Sequence, residues 1–107
     1  MRIFKDKKII FENSRFVGSS GLMFRKKPAL NEAVILKCPG NSRLFSMIHM
    51  LFVFFPIYII WLDKQKNIVD IKKAYPFQPF LVPRHPAYYV IECIKLPEIR
   101  INDRLEF

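Results

Sequence analysis

Two cysteines and two histidines are the side chains of this chain that could most readily act as nucleophiles, bases or metal ligands: Cys38, His49, His85 and Cys93. No two of them have the local spacing from which zinc sites are usually built, so we expect no bound metal and no cofactor. Both cysteines have apolar neighbours and are expected to be free, buried thiols. His49 lies in an apolar run typical of core residues, whereas His85 lies beside Arg84 in a loop expected to be open to solvent.

The remaining polar residues form no recognisable catalytic motif. Ser19 and Ser20 fit turn chemistry and not a nucleophile elbow. Four carboxylates alternate with apolar neighbours near expected strand ends, which predicts solvated strand faces: Asp63, Asp70, Glu92 and Asp103. With only three glycines, the chain has no Gly-rich phosphate-binding motif. The sequence therefore does not favour an enzyme.

A binding function has better support, because the chain is strongly basic. Its formal charge is +9, and residues 1–27 hold eight basic against two acidic side chains. Such a surface can bind phosphates or anionic lipid, or can simply be a solvated face. Aromatic residues are interleaved with Arg84 and His85, namely Phe77, Phe80, Tyr88 and Tyr89. These aromatic side chains can stack on nucleic-acid bases while the basic groups contact phosphates, or they can anchor the loop to the core. No specific nucleic-acid motif accompanies them.

The elements that position these residues are predicted to be strands. The expected strands cover residues 2–5, 8–12, 33–37, 42–50, 57–63, 68–73, 87–94 and 103–107, with turns at 6–7, 38–41 and 64–67 and a Pro-rich loop at 75–86. Asn13 or Ser14 is expected to cap one short helix through Phe16 and Val17. This pattern predicts an all-β fold over residues 1–107. We expect a small single-domain β-sandwich or partly open barrel, with one short helix near the N-terminal third.

One apolar run leaves two interpretations open. Residues 44–62 carry no formal charge and are long enough for a transmembrane helix. Their β-branched and aromatic side chains, with Pro56 inside the run, favour two buried strands instead. The N-terminus shows no secretory signal, so we expect a cytoplasmic protein. Membrane association through residues 44–62 is the alternative.

Several blocks of the sequence resemble one family, in the family's order. They are Gly21–Arg25, Ile48–Met50, Pro56-Ile57, Leu62-Asp63, Val69, residues 76–86 and Ala87–Glu92. Over about residues 14–107 the chain resembles a domain of unknown function (number 192), also called uncharacterised protein family 0127, and residues 49–56 resemble its archaeal branch. The resemblance implies a β-sandwich-like domain with a short helix before Gly21. It implies no established activity, cofactor or partner.

Two positions depart from the family pattern. Tyr58 takes the place of an aspartate, which either removes a carboxylate that a shared activity needs or replaces a structural acceptor. Asn102-Asp103 replaces a Gly-Asp turn. Because asparagine tolerates the left-handed conformation that glycine supplies, we expect this turn to survive.

The expected function is that of a binding or accessory module of unknown ligand, with an anionic ligand or surface as its partner. The expected ligand-binding residues are the basic or titratable groups within or beside the family blocks: Arg25, His49, Arg84 and His85. Two alternatives belong to other classes of protein. One is a membrane-associated protein held by residues 44–62, and the other is a basic nucleic-acid-binding domain whose affinity falls steeply with salt.

Overall fold

A computed structural model describes residues 1–18, 26–42, 53–78 and 81–107. Seven strands in these residues form two sheets: β1 (Ile3–Lys5), β2 (Lys8–Phe11), β3 (Asn13–Phe16), β4 (Glu32–Ser42), β5 (Ile57–Leu62), β6 (Ile68–Ala74) and β7 (Ala87–Cys93). The first two strands pair as a hairpin, and the others form a five-stranded sheet in the order β3-β4-β7-β5-β6. The described residues are therefore all-β, as predicted, and their sheet is not closed into a barrel.

The β1–β2 hairpin follows from its two turn residues. Asp6 and Lys7 have φ angles of 50° and 65°, and Lys5 pairs with Lys8 across them. Two successive left-handed residues form the tight turn whose twist suits antiparallel strands. This element confirms the hairpin expected around Asp6-Lys7.

The short helix expected from Asn13 or Ser14 is wrong, because these residues form strand β3. β3 pairs in parallel with β4, from Asn13 opposite Glu32 to Phe16 opposite Ile35. The buried Ser14 hydroxyl donates a hydrogen bond to the Met1 carbonyl over 2.6 Å, instead of accepting one from the N–H groups of a helix. Sheet pairing thus satisfies the backbone here, and the described residues contain no helix.

Strand β4 runs further than the sequence predicts. A turn is expected at residues 38–41, but the strand continues to Ser42 with an irregular register against β7. Lys37 lies opposite Tyr89 and Ser42 opposite Ala87, so five positions on β4 advance while β7 advances by two. Pro39 cannot donate to a ladder hydrogen bond, which explains why the regular pairing breaks inside this strand.

The β5–β6 hairpin confirms its prediction. Asp63 accepts hydrogen bonds at Oδ1 from the backbone N–H groups of Gln65 and Asn67, both over 2.9 Å. Lys66 adopts a left-handed φ of 69° in the same turn. The carboxylate thereby replaces backbone partners within the turn.

Both faces of the five-stranded sheet are apolar. One buried cluster includes Val34, Leu36, Ile59, Trp61 and Val90, and the other includes Ile35, Ile60, Leu62, Ile91 and Cys93. The β1–β2 hairpin covers the second cluster with Ile3 and Phe11, and the C-terminal segment adds Ile99 and Leu105. A sheet covered on both sides gives continuous apolar strands, which explains the unbroken run in β5.

The apolar run of residues 44–62 is only partly described. Its second part, Ile57–Leu62, is the buried strand β5. The expected strand at residues 42–50 lies outside the described residues apart from Ser42. None of the described residues belongs to a helix long and apolar enough to cross a membrane.

The C-terminal segment ties the hairpin to the sheet. Arg104 bridges to Asn67 and Glu106 bridges to Phe4, so residues 103–107 make isolated bridges instead of the full strand expected there. Asn102 has a φ of 77°, and the Asp103 N–H donates to the Arg100 carbonyl over 3.1 Å. The turn expected at Asn102-Asp103 is confirmed.

Candidate anion-binding surface

Arg84 and His85 lie in a bend of the Pro-rich loop, with both side chains exposed. The loop is fixed through its backbone. The Arg84 N–H donates to Asp70 Oδ2 over 2.9 Å, and Lys72 Nζ donates to the Val82 carbonyl over 2.6 Å. Two side chains of β6 therefore hold the loop, and the side chains of Arg84 and His85 remain available to a ligand.

Asp70 and Glu92 contradict the solvated strand faces expected for them. Asp70 is 4% exposed and Glu92 is 3% exposed. Asp70 pairs in register with Trp61, and Glu92 pairs with Ile59, which places both carboxylates on the face of the first cluster. Because this face is covered, a charged side chain on it becomes buried.

Strand β6 contains a bulge beside Asp70, which decides which of the two covered faces the carboxylate joins. Trp61 lies opposite Asp70 and Leu62 lies opposite Ile68, so Val69 has no partner on β5. Strict alternation from Ile68 would put Asp70 on the same face as Ile68. The extra residue instead turns Asp70 toward Trp61, where it can reach the loop at Arg84.

The other expected site residues are not assembled by the described part of the chain. Arg25, His49 and Phe80 lie outside the described residues. Tyr89 packs against the second cluster, so it contributes to the core more than to an open surface beside Arg84. Of the four expected ligand-binding residues, the structure places only Arg84 and His85 side by side.

The two thiols are buried and do not form part of a metal site within the described residues. Burial raises the pKa of the Cys38 thiol to about 11. Burial, with the charge of neighbouring Glu92, raises the pKa of the Cys93 thiol to about 12. Such thiols stay protonated at neutral pH and are poor nucleophiles and ligands.

Basic side chains line three adjoining surface cavities. Arg15, Lys26 and Lys27 line a cavity of about 600 Å³. Lys27 also lines a second cavity of about 440 Å³, together with Lys73 and Lys95. Lys95 in turn lines a third, of about 530 Å³, with Lys5 and Lys8. We call the six cations Lys8, Arg15, Lys26, Lys27, Lys73 and Lys95 the lysine band.

The charge of the lysine band is only partly compensated. Ion pairs among the described residues join Arg2 to Glu12, Lys5 to Asp103 and Lys72 to Asp70, and none includes a member of the band. Lys5 is excluded from the band because its Nζ lies 3.0 Å from the Asp103 carboxylate, whose pKa its hydrogen bond lowers. Three carboxylates do line the cavities, from Asp6, Glu32 and Glu98, so six band cations face three anions.

Tyr58 lies at the middle cavity of the lysine band. It is half-buried and lines the same cavity as Lys27, Lys73 and Lys95. Lys73 Nζ lies 5.7 Å from the centre of its ring. A carboxylate at this position would offset part of the charge of the three lysines, and tyrosine leaves that charge in place.

Comparisons with known proteins agree with this all-β fold. Residues 9–101 match the family DUF192, described as "Uncharacterized ACR, COG1430". A solved protein of unknown function from Novosphingobium aromaticivorans superposes with a TM-score of 0.80 at 19% identity, covering 99% of this chain and 82% of that one. A putative transcription regulator from Sinorhizobium meliloti gives 0.78 at 18% identity, covering 98% and 89%. At these identities the likeness shows the fold alone.

Archaeal relatives are nearer in sequence. A UPF0127 protein of Thermococcus sibiricus is 40% identical over 72 residues, which are 67% of this chain and 45% of that protein. The chain thus spans less than half the length of that relative. A UPF0127 protein of Pyrococcus furiosus is 34% identical over 91 residues, which are 81% of this chain and 75% of that one. On these matches, the chain belongs to the archaeal branch of uncharacterised protein family UPF0127, for which no activity is established.

Proposed function

We propose that this protein is a binding module for a phosphate-bearing polyanion, which lies along the lysine band. The observation that carries the proposal is the sharing of lysines between cavities. Lys27 belongs to two of them and Lys95 to two, so the three openings form one continuous basic surface. Lysine ammonium groups bind phosphates as point charges, without demanding a fixed geometry.

An extended ligand suits this surface better than a small anion. A site for one small anion converges several donors on a single enclosed point, whereas these cations are spread over three adjoining cavities. A string of phosphates can contact the cations in turn and release a counterion at each. The concave openings also favour a chain-like ligand over a flat lipid surface.

The scaffold of the module is proposed to be a β-sandwich, cytoplasmic as the sequence predicts. The packing of the β1–β2 hairpin on the second cluster supports two layers. Free, buried thiols are the usual state of cysteines in a reducing compartment. Arg25, His49, Arg84 and His85 remain proposed as additional ligand contacts, supported by the exposure of the last two.

The test is direct binding of labelled inorganic polyphosphate, which offers phosphates without bases or acyl chains. We expect Lys27→Glu with Lys95→Glu to weaken binding by about tenfold or more, because both cations belong to two cavities. The matched control is Lys64→Glu with Arg104→Glu, which makes the same charge change at exposed cations that line none of the three cavities. The control should bind nearly as the native protein does.

Three outcomes would contradict the proposal. Equal weakening by both double variants would show that total charge governs binding and not the lysine band. Failure of polyphosphate to bind at low salt would remove the proposed ligand class. Binding to vesicles of anionic lipid in the absence of polyphosphate binding would identify a membrane surface as the ligand.

A further inference from the structure

Three large aromatic side chains lie exposed beside Lys73, a residue of the middle cavity of the lysine band. Phe54 is 62% exposed, and Tyr75 and Phe77 are each 52% exposed. The rings of Phe54 and Phe77 lie 5.5 Å apart and nearly perpendicular, at 79°. We call these three residues the aromatic platform. Aromatic side chains exposed as a group commonly mark a binding surface.

Phe77 has a left-handed backbone conformation, and the turn does not require a phenylalanine at this position. It has a φ of 66° at the third position of the turn Tyr75–Gln78, which the Gln78 N–H closes on the Tyr75 carbonyl over 3.2 Å. Proline precedes Phe77, and a left-handed residue after proline is normally glycine or asparagine. In the turn that the Asp103 N–H closes on the Arg100 carbonyl, the same third position is occupied by Asn102, at a φ of 77°.

The strain at Phe77 is not repaid by burial. Its ring stays half outside the protein, so replacing it with glycine would cost the core little. Lys7 and Lys66 adopt the same conformation within hairpin turns, but Phe77 combines it with a large apolar ring that is exposed to solvent, which indicates a role outside folding. The exposed ring is the part of Phe77 that such a role would use.

The platform joins the lysine band at Lys73. Lys73 Nζ lies 5.5 Å from the Tyr75 ring, and the same lysine lines a cavity with Lys27 and Lys95. A ligand that contacts Lys73 in the lysine band can therefore also contact Tyr75 of the aromatic platform. Aromatic faces beside a track of cations are what an unpaired nucleotide chain requires, because its bases stack while its phosphates are neutralised.

We propose that the polyanion bound by the lysine band is single-stranded nucleic acid, whose bases stack on Phe77, Phe54 and Tyr75. This inference rests on the proposed function and names its ligand class. In a duplex the faces of the bases are already stacked on one another, and polyphosphate contains no aromatic ring. Neither of these ligands gains from the aromatic platform.

The test compares three probes with Phe77→Gly: a fluorescent oligothymidylate, a duplex with the same number of phosphates, and inorganic polyphosphate. We expect the native protein to prefer the single strand. Phe77→Gly should weaken single-strand binding by about fivefold or more, the usual effect of removing one stacking partner. It should leave the polyphosphate affinity and the melting temperature unchanged. Ile101→Ala, at an exposed apolar residue of the other turn, should change none of these quantities.

Several results would overturn the inference. If single strand, duplex and polyphosphate bind equally and Phe77→Gly has no effect, the aromatic platform is not part of the site, although the lysine band stands. A large fall in melting temperature for Phe77→Gly, with equal loss of all three probes, makes Phe77 structural. A native dimer that Phe77→Gly dissociates identifies the platform as a contact between copies. If none of the probes binds, the proposed function fails as well.

Discussion

The burial and the pKa of Cys93 are set by its position in the sheet. It lies fully buried on β7, the central strand, beside the buried carboxylate of Glu92. Low polarity and a neighbouring negative charge both disfavour a thiolate, which is why the pKa of Cys93 rises to about 12. The apolar neighbours of the two cysteines in the sequence are enough to predict their burial, and that prediction is confirmed.

The two thiols should therefore be unreactive in the folded protein. At pH 8 we expect neither Cys38 nor Cys93 to react with Ellman's reagent on mixing, and both to react once denaturant is added, since the thiolate is the attacking species. The raised pKa values also mean that the thiol contribution to stability is complete below the usual thiol pKa of 9.0 and is lost as the pH rises toward about 11 and 12. Rapid labelling of the native protein at pH 8 would show that a thiol is exposed or activated.

At the scale of elements, the bulge in β6 connects sheet and loop. Asp70 accepts the N–H of Ile71 at one oxygen and the N–H of Arg84 at the other, each over 2.9 Å. Lys72, on the same strand, binds the loop two residues earlier, at the Val82 carbonyl. A short stretch of β6 thus sets the position of a loop that carries four prolines.

This connection predicts a contrast between two variants. Asp70→Ala leaves two N–H groups without their acceptor, so we expect a loss of about 1–3 kcal/mol of unfolding free energy. Arg84→Ala with His85→Ala removes only exposed side chains and keeps the backbone bond to Asp70, so stability should change by less than about 0.5 kcal/mol. Urea unfolding of the three proteins checks both expectations. A comparable loss in the double variant would make Arg84 and His85 structural and would remove them as proposed ligand contacts.

The sequence predicts elements well where a local signal decides the structure. Asp6-Lys7 and the polar turn after Asp63 specify hairpins through short-range geometry, and both hairpins are present. The signal fails at Asn13–Phe16, where a polar residue suited to a helix cap is used in a parallel strand pair instead. Parallel pairing joins segments that are distant in the sequence, so the residue types around Ser14 do not indicate it.

The candidate site shows the same division. Arg84 and His85 are adjacent in the chain, so their shared exposure is predictable from the loop around them. The lysine band is not predictable from the sequence, because its members come from five separate segments: β2, β3, the segment before β4, β6 and the segment after β7. The sheet order β3-β4-β7-β5-β6, together with the β1–β2 hairpin packed on the second cluster, brings them to neighbouring cavities.

At the scale of the whole molecule, protection should decrease from the centre of the sheet outward. β7 is hydrogen-bonded to β4 and β5 and has apolar packing on both faces, whereas β3 has β4 as its one strand partner in the described chain. We expect the β7 amides to exchange with solvent most slowly and those of β3 to exchange fastest within this sheet. Hydrogen exchange followed by mass spectrometry checks this order. Protection of β3 equal to that of β7 would show that its outer edge is covered.

The two edges of the sheet also bear on how copies of the protein behave toward one another. β3 presents Arg15 and β6 presents Lys73, both exposed, on the two outer strands, whose edges are covered in part by Met1 at Ser14 and by residues 102–103 at Ile68. Positive charge on such edges keeps them from joining. Both residues also belong to the lysine band, so an anionic chain that occupies the band neutralises the repulsion. Under the proposed function, we therefore expect the colloidal stability of the protein to fall as a long polyanion fills the lysine band, since crowded copies on one anion would no longer repel one another at these edges.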